Sequence, residues 1–252
     1  MGKEIRRGYV AKDEIEFQRA KLGVLRKAAE ELCYLLERGY PVKSSVTFIG
    51  NHYLLSERQR TALSRVASTK TDCDMRRKKQ LSKQQIRDTA VNIDGFNTII
   101  TLEVAMSRSL VLQCMDGTIR DLAGLRGNYR ISPVTYKAVR LLLTELVSLK
   151  VREARIYLDA PISNSGNLKK LILEEATSYA IQVEVLVISE VDSTLEQMSP
   201  VITSDAIILN RADSWFNLNR ILMNRIPEVW CVDFTSDPKE VLGGEKHEED
   251  II

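Results

Sequence analysis

The chain has 252 residues, 44% hydrophobic and 28% charged, enough to bury a sizeable core as one large or two modest domains. No apolar run reaches the ~18 residues of a membrane-spanning helix, and the opening MGKEIRRGYVAKDEIEF lacks the apolar core of a secretion signal, so a cytoplasmic protein without membrane partners is expected. The net charge of +2 divides unevenly: residues 1–90 hold 20 Lys and Arg against 11 Asp and Glu, whereas the remainder holds 16 against 23, which suggests a polyanion-binding half joined to a carboxylate-bearing one.

In chain order, residues 13–38 read as a helix, with Leu22, Leu25, Ala29, Leu32 and Leu36 recurring at spacings of three and four. Gly39-Tyr40-Pro41 stops it. A second helix fits Val42–Ile49. A third starts at Ser56, where Ser56-Glu57-Arg58-Gln59 is a capping-box pattern, and runs through Ala62, Leu63 and Val66. Three short helices on one seam, the last bearing Arg58, Arg60 and Arg65, resemble a helix-turn-helix unit, although a three-helix structural cap fits the same pattern. Residues 68–88 read as a polar linker. Its cationic run Arg76-Arg77-Lys78-Lys79 suits phosphate contacts or simple solvation.

From Ala90 apolar strands alternate with helical patterns, the rhythm of an α/β fold with a mainly parallel sheet covered by helices. Ala90–Ile93 is a strand that breaks at Asp94-Gly95 and resumes as a helix over Thr98–Met106. Ser109–Cys114 is a second strand, followed by a turn at Asp116-Gly117. Ser132-Pro133 caps a helix over Val134–Leu149. Ala154–Leu158 is a strand ending at Asp159, Leu168–Ala180 a helix, and Gln182–Ile188 a strand. The apolar Ala206–Leu209 follows Asp205, a helix covers about Ser214–Asn224, and a last strand covers Val229–Asp233. The expected organisation is a basic helical region with linker over 1–88, an α/β domain over 89–240 and an acidic tail over 241–252.

Carboxylates recur at telling points: Asp94 and Asp159 end strands, Asp205 stands just before the apolar Ile207-Ile208-Leu209, Asp213 lies a turn later, and Asp233 ends the last strand. In an open α/β sheet ligands collect beyond the carboxyl ends of the strands. Carboxylates gathered there repel unless a cation lies between them, and hard oxygen donors favour magnesium or manganese. Asn97, one turn beyond Asp94, can join such a site. Each of these aspartates also suits a helix cap or Asx turn. The loop Pro161–Asn167 is a second candidate, with Ser163, Asn164 and Ser165 offering amides and hydroxyls to a phosphate, or else an ordinary N-cap. Asp121, Arg120, Arg126 and Arg130 lie in a polar segment that suits the same face. With only His52 and His247, a Ser-His-Asp triad is excluded. There is no G-x-G-x-x-G after a strand, no Gly-Lys-Ser/Thr P-loop, and no C-x-x-C among Cys33, Cys73, Cys114 and Cys231, which read as four reduced thiols. Trp215-Phe216 and Trp230 suit base stacking or, more simply, the core.

Asp94-Gly95-Phe96-Asn97 after an apolar strand is similar to the opening motif of PIN and NYN-type ribonuclease domains, and Tyr157-Leu158-Asp159 and Thr203-Ser204-Asp205 resemble that superfamily's later acidic strand ends. The whole chain also resembles a family of uncharacterised conserved proteins of archaea and bacteria, through LLERGYPVKSSVTFIG, LSERQRTALSRVA, NIDGFNTIITLE, DGTIRDLAG, LDAPISNSG, TSDAIILNRA and WFNL. The ribonuclease resemblance implies a Rossmann-like sheet and metal-assisted phosphodiester hydrolysis, with Asp94 and Asp205 holding Mg2+ or Mn2+ and Asp159 or Asp213 completing the site. Glu145 would stand for the superfamily's acidic residue on the mid-domain helix. RNA is the expected partner, and homo-oligomerisation stays open. Two other readings remain: a non-catalytic nucleic-acid-binding or scaffold protein, and a nucleotide or phosphate binder using the loop Ser163–Asn167.

Overall fold

Helical spacing at the amino end is realised, among the described residues, as α1 (Asp13–Glu16), α2 (Arg19–Glu37), α3 (Val42–His52), α4 (Glu57–Val66) and α5 (Lys70–Lys79). The computed structural model describes residues 6–124 and 127–235; Arg126 and the acidic tail over 241–252 lie outside the described residues. The helix expected over 13–38 is split, because Gln18 is extended and Phe17 turns into the core at 2% exposure. At Ser56 the capping box forms as its residues require, Oγ accepting from Gln59 N–H and Gln59 Oε1 accepting from Ser56 N–H at 3.1 Å.

The stretch read as a linker is folded. Thr69 Oγ1 caps α5 by accepting from Asp72 N–H at 3.0 Å, and Arg76–Lys79 sit in the last turn, where cations suit the helix dipole. Beyond it, Leu81 N–H donates to Trp215 O at 2.8 Å, tying the chain to the α/β half before the first strand.

The α/β half runs β1 (Ala90–Asp94), α6 (Gly95–Met106), β2 (Val111–Gln113), β3 (Ile119–Asp121), α7 (Pro133–Ser148), β4 (Glu153–Asp159), α8 (Ser165–Ala176), β5 (Gln182–Ile188), α9 (Val191–Leu195), β6 (Val201–Ile202), α10 (Ala206–Arg211), α11 (Leu218–Met223) and β7 (Cys231–Asp233). Among the described residues there are two sheets instead of one: a parallel sheet in the order β5-β4-β1-β6, and a smaller one, β3-β2-β7, in which β2 and β7 are parallel and β3 is antiparallel. The expected helix over Ser214–Asn224 shortens because Trp215 is drawn into bridges with Gln80 and Val201.

Period-two alternation in the large sheet fills two different cores. Val91, Ile93, Ile156, Leu158, Val185 and Ile202 face a cluster with residues of α6, α7, α8 and α11. Tyr157, Leu186 and Val201 face the opposite cluster, with α9, α10 and Trp215. A third cluster joins Leu25, Ala29, Leu32 and Leu63 of the helical half to Leu110, Leu112, Val232 and Phe234 of the small sheet. Each fully buried Leu or Ile contributes about 1.5–3 kcal/mol of transfer free energy, so these faces, not helix propensity, hold the halves together.

The order β5-β4-β1-β6 carries one functional consequence. From β1 the chain builds outward through β4 and β5 with α6, α7 and α8 on one face, then returns through α9 on the other face to lay β6 beside β1. The direction of winding reverses between β1 and β6, and the crevice beyond their carboxyl ends is where such sheets hold ligands.

Candidate active site

Asp94 is the last residue of β1 and the N-cap of α6, so the strand-end and cap readings hold together. Its Oδ1 accepts from Asn97 N–H at 3.2 Å, and its Oδ2 accepts from the Thr203 hydroxyl at 2.9 Å. Thr203 belongs to the segment leaving β6, so this bond spans the crevice. Asn97 closes the same gap from α6, its Oδ1 accepting from both the amide and the hydroxyl of Ser204 at 2.9 Å. Gly95 is required by close packing: a Cβ there would stand 2.6 Å from Leu158 Cδ2 and 2.8 Å from the Tyr157 carbonyl oxygen.

Asp94 is 6% exposed, and burial, with smaller contributions from Asp159 and Asp192, pushes its carboxyl from the ordinary 3.8 up to about 7, against the lowering effect of its two hydrogen bonds. Asp159, at the end of β4, is half-buried and raised by desolvation and by Asp192. Asp192, exposed on α9, is raised by desolvation, then by Asp205 and Glu196. Asp205 caps α10, its Oδ1 accepting from Ile207 N–H at 2.8 Å and Ile208 N–H at 3.2 Å. These four carboxylates therefore share the carboxyl edge of the large sheet, where Asp159 and Asp192 raise Asp94, Asp192 raises Asp159, and Asp205 raises Asp192. An all-oxygen donor set of this kind suits a hard divalent ion, which would relieve the repulsion. Among the described residues, however, no three His, Cys, Asp or Glu side chains stand in a group formed to hold a metal, so Asp159 and Asp192 would have to swing toward Asp94.

Other expected residues lie elsewhere. Asp213 is exposed beyond α10, beside Ser214, whose carbonyl accepts from Val201 N–H at the start of β6, and it is not among the charges raising Asp94. Asp233 ends a strand of the small sheet. Glu145 is buried near the far end of α7, 3.0 Å from Arg225 and beside Lys83, Arg87 and Lys150, residues that precede β1 and β4; it belongs to the opposite edge of the sheet. The side chains of Ser163 and Asn164 are spent on the chain rather than offered to a phosphate: Ser163 Oγ donates to Tyr129 O and accepts from Tyr129 N–H, and Asn164 Nδ2 donates to Tyr129 O at 2.7 Å. Ser165 opens α8 and is buried. Trp215 is 1% exposed and packs in the core, its Nε1–H donating to Arg76 O at 2.7 Å.

The cations expected to meet nucleic acid divide. Arg58 clasps the buried Asp13 through two bonds, of 2.9 and 2.7 Å, and also donates to Leu122 O. Arg60 donates to Leu55 O at 2.9 Å and Arg65 to Asp121 O at 2.7 Å. α4 thus spends its half-buried arginines on Asp13 and on the protein's own carbonyls. Arg76 is 2% exposed and ion-paired to Asp116, while Lys79 donates to Asn210 O at 2.9 Å. Arg77 and Lys78 point to solvent, Arg77 with Asp74 3.3 Å away.

Arg76, Asp116 and Arg120 form a buried knot under the site. Burial would raise Asp116, but Arg120, Thr118 and Arg76 outweigh it and hold the carboxyl below its ordinary value. Arg120 Nε donates to Ser204 O at 2.8 Å, so the knot fixes the segment that carries Thr203 and Asp205. Two participants were not visible among the expected site residues: Thr203 as Asp94's partner, and Asp192. The latter follows the apolar run of β5 as Asp94 follows that of β1, a signal hidden by the shortness of α9.

Two family matches divide the chain at the same place as the architecture. Residues 83–221 match the family described as Domain of unknown function (DUF5616), and residues 24–79 match Protein of unknown function (DUF434). Over 185 residues the chain is 33% identical to Uncharacterized protein MJ0935 of Methanocaldococcus jannaschii, covering 73% of this chain and 88% of that protein. No solved structure matches.

Proposed function

We propose that this chain, which belongs to the DUF5616 family, is a divalent-metal-dependent phosphodiesterase of the PIN/NYN kind that cleaves nucleic acid, with RNA as its substrate class. The observation that carries this reading is the gathering of Asp94, Asp159 and Asp192 at the crevice between oppositely wound halves of a parallel sheet, with Asp94 pushed up to about 7. Asp94 and Asp159 are the residues to hold Mg2+ or Mn2+, with Asp192 and Asp205 beside them. Such an ion supplies Lewis acidity and neutralises charge on a phosphodiester. The protein's own groups do the rest. Thr203 fixes Oδ2 of Asp94, Asn97 fixes the Ser204 backbone, and Asp192, exposed and raised, exchanges a proton with solvent or leaving group. Arg77 and Lys78 are the exposed cations of the run placed to follow a nucleic-acid backbone, Arg77 exchanging its surface pair with Asp74 for a phosphate, a contact that weakens steeply with salt.

The test is manganese-dependent cleavage of single-stranded and structured RNA. Asp94→Asn and Asp159→Asn should each lower the rate by about a hundredfold or more, an effect of ~3 kcal/mol on the barrier, whereas Asp213→Asn should leave it unchanged. Equal rates in wild type and Asp94→Asn would refute the assignment. RNA binding without cleavage would favour the non-catalytic reading.

A further inference from the structure

Sequence spacing scatters the cysteines, but the fold brings two of them to one point. Cys33 on α2 and Cys73 on α5 both approach the Ser68 carbonyl oxygen, Cys33 Sγ at 3.2 Å and Cys73 Sγ at 3.9 Å. Cys33 Sγ is also 3.1 Å from Met115 Sδ, in the turn after β2. Two thiols and a thioether thus converge where the helical half meets the small sheet, and all three residues are half-buried, so the cluster is open to small solutes.

We infer that Cys33, Cys73 and Met115 form a binding site for a soft metal ion of low coordination number, monovalent copper being the ion that fits. The third sulfur decides between the two chemistries open to paired cysteines. A thioether contributes nothing to a disulfide, whereas thiolate and thioether together select soft ions. Zinc is disfavoured because its structural sites take four ligands, and magnesium or manganese because they take oxygen. Sulfurs sharing an ion at about 2.3 Å each stand farther apart than Cys33 and Met115 do, and the unbranched, flexible Met115 side chain can supply that small opening. Two thiolates around a monovalent ion leave one net negative charge. Arg76 and Arg77 lie close enough to favour the Cys73 thiolate, though Asp116 and Asp72 act against them. Burial pushes both thiols up to about 11, so at neutral pH they are inert toward weak electrophiles and release their protons only to a strongly thiophilic ion.

The experiment is anaerobic titration of the reduced full chain with Cu(I) in competition with a chromophoric Cu(I) chelator, following thiolate-to-copper absorption. One equivalent should bind. Cys33→Ser and Cys73→Ser should each abolish that equivalent, Met115→Leu, which keeps volume and apolarity, should weaken it tenfold or more, and Cys231→Ser should bind as wild type. Circular dichroism of each variant separates loss of binding from loss of fold. Unchanged affinity in Met115→Leu, or wild-type binding by a folded Cys33→Ser, would overturn the site. So would failure to bind Cu(I) in a protein that oxidised glutathione readily converts to a Cys33–Cys73 disulfide.

Discussion

Asp94→Asn should make the protein more stable at alkaline pH while destroying the proposed activity. An aspartate in the unfolded chain titrates near 3.8, whereas burial, with Asp159 and Asp192 adding to it, pushes the folded carboxyl up to about 7. Between about pH 4 and 7 the folded state keeps a proton that the unfolded state has released. Unfolding free energy therefore falls as pH rises through that window, and the loss is complete above it. At about 1.4 kcal/mol per pH unit the ceiling is about 4 kcal/mol, and relaxation of the site makes roughly 2–4 kcal/mol the expected range. Asparagine carries no charge at any pH and keeps the oxygen that accepts from Asn97 N–H. Urea unfolding of wild type and Asp94→Asn at pH 4.5 and pH 8 reads the effect directly: the variant's advantage should widen by that amount between the two. Millimolar Mn2+ should recover stability in wild type at pH 8 and not in the variant, because an ion that binds only the folded carboxylate stabilises it by mass action. Stabilities that run parallel from pH 4.5 to 8 would refute the argument, since they would mean that Asp94 ionises in the fold as it does in water.

Gly95→Ala should destabilise the fold by about 1–3 kcal/mol in urea, because its Cβ would stand 2.6 Å from Leu158 Cδ2 and 2.8 Å from a backbone carbonyl that cannot turn aside; an unchanged midpoint would show that β4 yields. Asp116→Asn strands Arg76 and Arg120 in the interior and should cost about 3–5 kcal/mol. Because Asp116 is held below its ordinary value, its contribution is present above that value and is lost as pH falls through the folded one. The penalty should therefore shrink in acid, and a penalty independent of pH would locate the damage in packing instead.

Local patterns made the elements legible and left their assembly largely hidden. The capping box at Ser56, the helix stop at Pro41 and the strand over Gln182–Ile188 depend on neighbours a few residues away, and each forms as read. Arg76 sits in a run of four cations that reads as a solvated face; the carboxylate that draws it inward, Asp116, is forty positions along the chain. The same limit separated Cys33, Cys73 and Met115, whose meeting depends on how α2, α5 and the turn after β2 pack.

For the carboxylates, position was legible but membership was not. Asp94, Asp159 and Asp233 follow apolar runs and Asp205 precedes one, and nothing in the runs says which strands become neighbours. Strand order decides it. β1, β4 and β6 share one sheet, and Asp233 is lost to the site because β7 pairs with β2 in the other. Asp192 enters because α9, too short to show a period, returns the chain across the carboxyl edge to β6. A two-residue strand thus does more for the site than its length suggests: by seating beside Asn92 and Ile93, β6 delivers Thr203 to Asp94 and Ser204 to Asn97. The geometry of the crevice rests on that pairing, which no single stretch of the chain encodes.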